Sequence, residues 1–149
     1  MIISNSDIGS LESQVTMVDG GFDPIHRGHI AYFRSAATLG FPVICCVAPD
    51  SYVSSKHEPL LDQMHRAEVI DAIKWIQYVY MSSTSTAEML NMIRPRIYAK
   101  GNDWEGRLPA KELEVCNLLG IEIRYLDTVL DSSTRLLRAY NQTGNRNGH

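Results

Sequence analysis

The chain has 149 residues, with 14 Lys and Arg against 17 Asp and Glu, for a formal net charge of −3. A hydrophobic fraction of 44% and a charged fraction of 21% are those of one soluble globular domain able to bury a core without staples. The slightly acidic balance argues against a dedicated nucleic-acid binder, though it allows a local basic site inside a cleft. No apolar run nears the roughly 20 residues that span a bilayer, and Met1 to Thr16 lacks the basic start and apolar block of a secretory signal, so a cytoplasmic domain is expected.

Residues 1–13 read as an N-terminal extension and 14–140 as the domain. Val15 to Val18 is short and β-branched. Ile30, Phe33 and Ala37 recur at helical spacing. Phe41 to Ala48 is a continuous apolar run that suits a strand buried on both faces. Its adjacent Cys45 and Cys46 should point to opposite faces, and with Cys116 they form no C-x-x-C, so buried reduced thiols are expected and no metal ligands. Asp62 to Trp75 reads as a helix capped by Asp62, with Leu61, Met64, Ala67, Ile70 and Ile73 as its apolar stripe. Ile76 to Tyr80 is strand-like, Thr86 to Ile93 helical and Arg96 to Ala99 a short strand. Pro109 to Leu119 is a helix with Pro at its start and Gly120 past its end. Ile121 to Leu126 is a strand, Ser133 to Tyr140 a last helix, and 141–149 a polar, flexible tail. Five strands alternating with helices predict an α/β fold with a doubly wound parallel sheet. Ligands in such sheets bind beyond the carboxyl ends of the strands. The loops there, at 19–29, 49–59, 100–108 and 127–134, hold most of the Gly, His, Lys and polar clusters.

The first loop runs from Asp19 to His29 as DGGFDPIHRGH. Gly20 and Gly21 let the backbone approach a ligand, and the helix start behind them favours phosphate. His26 and His29, three apart, can donate to one anion, and Gly28 between them leaves room for it. Phe22 and Asp23 belong to the same string. This string resembles the HxGH nucleotidyltransferases, the cytidylyltransferase-like superfamily, and the resemblance runs from about Thr16 to Arg138. It implies a single Rossmann-like domain that transfers a nucleoside monophosphate from a triphosphate to a phosphorylated acceptor, with release of pyrophosphate. In that family both histidines contact the triphosphate and stabilise the transition state, which carries over to His26 and His29.

Attack by an already ionised phosphate oxygen needs fixed donors more than a strong base. The family keeps a phosphate-binding lysine in the second loop, where Lys56 stands; a solvated surface lysine is the equal alternative. An arginine follows PLLDQMHR-like runs, here Arg66, with the implied role of holding the active-site loops or phosphate. The alternative is a surface helix arginine paired with Asp62 or Glu58. In the third loop the resemblance gives Lys100, Gly101 and Asp103 to the nucleotide. Asp103-Trp104-Glu105-Gly106 looks like glycerol-3-phosphate cytidylyltransferase, whereas Lys100-Gly101-x-Asp103 looks like the adenylyltransferase of ADP-heptose synthesis. Trp104 is either a loop anchor or a stacking group. In the fourth loop Ser132, Ser133 and Thr134 resemble the family's second signature, and hydroxyls with free N–H groups at a helix start can cradle the β- and γ-phosphates; ordinary N-capping by Ser is the alternative. Thr128 and Asp131 depart from the cytidylyltransferase pattern, which leaves CTP and ATP both open.

The expected activity is therefore transfer from CTP or ATP to a phosphorylated sugar or polyol, without nucleic-acid or membrane partners. The alternatives are adenylyl transfer to a cofactor precursor, phosphopantetheine or nicotinamide mononucleotide, and a nucleotide-binding module without catalysis. Mg²⁺ is expected with the triphosphate, because the triphosphate needs neutralising and no side-chain cluster makes a full metal cage. A homodimer is implied by the resemblance alone.

Overall fold

A computed structural model describes residues 1–127 and 139–142. One parallel sheet runs through it in the order β1-β4-β3-β2-β5-β6, formed by β1 (Ile2–Ile3), β2 (Thr16–Gly20), β3 (Val43–Val47), β4 (Tyr78–Met81), β5 (Ile97–Gly101) and β6 (Glu122–Leu126). The sheet therefore has six strands where the sequence predicts five. The added strand comes from the segment read as an extension. It has only two residues, Ile2 and Ile3, paired with Val79 and Tyr80, too few for a period of two to register. The same segment forms α1 (Asn5–Ile8) and puts Ile8 and Leu11 into the core.

Every residue of β3 is buried, as its unbroken apolar run requires. Val43, Cys45 and Val47 face one core layer, and Ile44 and Cys46 face the other. All three cysteines are free and buried. The first layer lies under α2 (Arg27–Ala37) and α4 (Gln63–Asp71), through Phe33, Ala36, Ala67 and Ile70. The second lies under α5 (Thr86–Ile93) and α6 (Ala110–Leu119), through Met89, Leu90, Ile93 and Cys116.

Helix ends follow local chemistry. The Asp62 carboxylate accepts from the His65 N–H at 2.7 Å at the start of α4. Gly120 ends α6 at φ 69°, a left-handed position where a side chain is strained. The α4 helix stops at Asp71 rather than reaching Trp75, because the chain must turn there to enter β4 beside β3. A short helix the sequence does not advertise, α3 (Asp50–Ser54), follows β3. The helix expected over 133–140 lies outside the described residues except for its end, where 139–142 are helical.

The strand order reverses between β2 and β5: the chain builds β3 and β4 on one side of β2, then crosses to place β5 and β6 on the other. Five residue pairs join β2 to β3, but only two, Thr16 with Ile97 and Met17 with Tyr98, join β2 to β5. Beyond them the two strands part at their carboxyl ends, which opens a crevice at the switch point.

Candidate functional site

The crevice is a cleft of about 910 Å³. Its walls bring together Gly20, Gly21, Phe22, Asp23, His26, Gly28, His29, Lys56, Lys100, Gly101 and Asp103, eleven of the residues singled out from the sequence. Arg66 lies behind the wall. Ser132, Ser133 and Thr134, with Thr128 and Asp131, lie outside the described residues.

The first loop is built to hold two imidazoles. His26 is the N-cap of α2, and its Nδ1 accepts the Gly28 N–H at 3.0 Å. His29 turns back so that its Nδ1 accepts the His26 N–H at 3.2 Å. The rings stack with centroids 3.8 Å apart and planes 28° from parallel, and His29 also meets the Phe22 ring edge-on at 5.0 Å. An Nδ1 that accepts a backbone proton carries none itself, so in each neutral ring the proton sits on Nε2. Burial, then the neighbouring His26, pushes the His29 pKa down to about 3. His29 is thus a neutral N–H donor at ordinary pH. Its tautomer is set by its own helix rather than by a carboxylate.

Two residues of the loop that line the cleft also fix backbone. The Asp23 carboxylate, 2% exposed, accepts the N–H groups of Leu60 and Leu61 at 2.8 and 2.9 Å, which clamps the end of the second loop. Phe22 adopts φ 54° and folds its ring over Gly20. A Cβ at Gly20 would stand 3.0 Å from the Phe22 Cζ, so a side chain there would have to shift the ring.

Arg66 is wholly buried, not a surface residue. Its guanidinium donates to the carbonyls of Gly21 at 2.7 Å, Ala48 at 2.8 Å and Leu61 at 3.1 Å, and to Asp50 Oδ1 at 2.7 Å. It ties the first loop to the second from behind and does not itself line the cleft. Its ion-pair partner is Asp50 rather than Asp62 or Glu58. Lys56 is exposed at the rim, with its ammonium 4.7 Å from the centre of the Tyr52 ring.

The floor holds a network that sequence reasoning did not place. Asp19, at the end of β2, accepts from Lys100 Nζ at 2.9 Å, from the Tyr98 hydroxyl at 3.1 Å and from Thr86 Oγ1 at 2.9 Å. Tyr98 also lies 2.9 Å from Glu112 Oε1, so one phenol proton serves two carboxylates. Burial raises the pKa of Glu112 and that of Tyr98, and for Tyr98 the Asp19 charge adds to the effect. Lys100 rests on the Trp104 ring, 4.4 Å from its centre, while Trp104 packs against the core. Asp103 is exposed in the short turn after Gly101. A fourth wall, Ser82 to Thr86, follows β4 and is all hydroxyls. The signal for Asp19 is visible in retrospect as a carboxylate that closes an otherwise apolar strand. The hydroxyl loop carries no glycine or charge to mark it.

Among the described residues, no group of three or more His, Cys, Asp or Glu could hold a metal ion, and no helix is long and apolar enough to cross a membrane. What the cleft offers is neutral N–H donors, one inner ammonium, one rim ammonium and close backbone approach, a set suited to a phosphorylated ligand.

Residues 17–138 match a family model described as cytidylyltransferase-like. The bifunctional protein HldE of Nitratiruptor sp. is 28% identical over 134 residues, covering 87% of this chain and 28% of the relative. The FAD synthase of Methanosarcina mazei is 33% identical over 96 residues, covering 64% of this chain and 63% of the relative. The chain thus spans less than a third of the HldE protein and under two thirds of the FAD synthase. Among solved structures, the lipopolysaccharide core biosynthesis protein from Thermoplasma volcanium superposes with a TM-score of 0.68 at 26% identity, over 79% of this chain and 98% of that one. A putative nicotinate-nucleotide adenylyltransferase from Vibrio parahaemolyticus shares the fold, with a TM-score of 0.61 at 14% identity over 89% of this chain and 88% of that one.

Proposed function

The chain belongs to the cytidylyltransferase-like family, and from that premise we propose that it transfers a nucleoside monophosphate from CTP or ATP to a phosphorylated sugar or polyol. A phosphate oxygen of the acceptor forms a bond to the α-phosphorus, the bond from the α-phosphorus to the bridging oxygen breaks, and pyrophosphate leaves with the electron pair. The acceptor is already ionised, so the barrier is charge repulsion and alignment rather than proton removal.

The observation that carries this reading is the stacked histidine pair. Two rings with both Nδ1 atoms spent on backbone N–H groups can only offer Nε2–H donors, which is what a triphosphate gathering charge on its oxygens needs. Lys100 and Lys56 supply positive charge from the floor and the rim, and Gly20, Gly21, Gly28 and Gly101 supply close approach. Asp103 faces the nucleoside, and Ser132, Ser133 and Thr134 hold the outer phosphates. Phe22 and Asp23 shape the loop that presents the histidines, and Arg66 locks it to the next. Mg²⁺ enters as part of the triphosphate substrate and would be held mainly by phosphate oxygens and water.

The test is pyrophosphate release with CTP or ATP and Mg²⁺, against a panel of polyol phosphates, sugar 1-phosphates, riboflavin 5′-phosphate, phosphopantetheine and nicotinamide mononucleotide. Release that needs one triphosphate and one sugar or polyol phosphate supports the reading. Turnover on riboflavin 5′-phosphate, phosphopantetheine or nicotinamide mononucleotide alone would replace it with adenylyl transfer to a cofactor precursor. A nucleotide-induced rise in melting temperature without turnover on any acceptor would make the chain a binding module.

A further inference from the structure

We propose that Asp19 is a positioning residue that holds Lys100 across the open switch point in the empty enzyme and sets how tightly the cleft retains a phosphate anion. This rests on the reading of the cleft as a phosphate-transfer site. Asp19 and Lys100 stand two positions beyond the last residue pair joining β2 to β5, Met17 with Tyr98. Their 2.9 Å ion pair therefore bridges the two strands where they have parted, at the floor of the cleft. Both side chains are nearly buried, with 9% exposure for Lys100 and 13% for Asp19. An ion pair this shielded is weakly screened.

Asp19 is itself fixed. Thr86 Oγ1 occupies one carboxylate oxygen, and the Tyr98 hydroxyl shares the other with Lys100. Lys100 has freedom that Asp19 lacks: its ammonium carries three donors, and Asp19 is its one hydrogen-bond partner among the described residues. A phosphate entering the floor meets a lysine already half neutralised, and a carboxylate beside it that repels the anion. Asp19 thus lowers the affinity of the site for anions while keeping the ammonium aimed at them. The benefit to turnover is release: a bare buried lysine would retain the product.

Asp19→Asn removes the charge and keeps the shape; Asp19→Ser removes it in a second way should the first fail to fold. Inorganic phosphate and pyrophosphate are titrated separately in a Trp75→Phe background, where Trp104 against Lys100 is the only tryptophan and reports the lysine's departure by fluorescence. The expected result is anion binding about tenfold tighter or more in both variants, the size of one charge removed at short range in a partly shielded site. Asp19→Glu should return towards the parent value, and Lys100→Met added to Asp19→Asn should abolish the gain. In steady state, KM for the triphosphate and kcat should fall together, whereas mere structural damage would raise KM. Unchanged or weaker binding of both anions by folded Asp19→Asn or Asp19→Ser, with the parent binding normally, overturns the proposal alone. If the parent neither binds a triphosphate nor turns over any acceptor, the phosphate-transfer reading itself fails and this inference falls with it.

Discussion

Replacing Arg66 by methionine tests whether one buried guanidinium holds the two active loops together. The side chain is fully enclosed and makes four hydrogen bonds, three to carbonyls and one to Asp50. Methionine keeps much of the stem's packing and removes every donor. Three carbonyls then lose their partner, each costing about 1–3 kcal/mol if water does not reach it. Asp50 is half exposed, so its share is at most about 1 kcal/mol. Partial hydration lowers the sum, and about 3–5 kcal/mol is the expected loss. For a domain of this size that lowers the melting temperature by roughly 8–15 °C. Arg66→Lys keeps the charge but cannot span three carbonyls with a planar fork, so it should recover less than half of the loss. Thermal and urea unfolding followed by circular dichroism measure both. A methionine variant melting within about 2 °C of the parent would refute the clamp.

His29→Ala should lower turnover by about 10²-fold or more while the protein stays folded; a rate within threefold of the parent would remove His29 from the reaction. The depressed His29 pKa, about 3 against an ordinary 6.5, makes stability pH-dependent. The unfolded chain binds this proton first, so the contribution is whole above about pH 6.5 and is lost progressively as pH falls towards 3. Urea midpoints at pH 7, 6 and 5 should fall more steeply for the parent than for His29→Gln, and parallel curves would contradict the burial argument. Asp23→Ala should cost about 2–4 kcal/mol by orphaning the Leu60 and Leu61 N–H groups, with faster proteolysis near residue 60 as the independent sign. Gly20→Ala should cost about 1–3 kcal/mol by displacing the Phe22 ring, and a neutral melting curve would show that the ring yields freely.

The alternation of strand and helix is legible because buried parallel strands must be apolar on both faces, and Phe41 to Ala48 says so by itself. The caps at Asp62 and Gly120 are equally local. What the sequence hides is what distance along the chain decides. Arg66 sits off the apolar stripe of α4, yet it is fully buried while Met64, on the stripe, is 47% exposed. The reason is that its partners are carbonyls at 21, 48 and 61, brought to it only when two loops close over α4. Helical periodicity measures apolar match and has no term for a guanidinium that finds carbonyls. Asp19 and Lys100 are 81 positions apart and meet only through the crossover that places β5 beside β2.

The same crossover explains why the chemistry collects where it does. With neighbours on both sides, β2 cannot follow both once the chain reverses its direction of winding. It stays paired to β3 along its whole length and leaves β5 after two residue pairs. Unpaired strand ends need polar partners, and a ligand at the crevice can supply them. Any sequence with this strand order opens a similar gap. The particular activity lies in what lines it: two imidazoles whose protons the helix has already assigned, a lysine tied to the opposite strand, and loops tied down by the hydrogen bonds of Arg66 and Asp23. That division of labour predicts opposite signatures for two kinds of substitution. Changes at His29 or Asp19 should alter rates and anion affinity beyond what any loss of melting temperature explains, whereas changes at Arg66 or Asp23 should lower melting temperature first and activity only through it. A variant of Arg66 that keeps its melting temperature but loses turnover would erase the distinction.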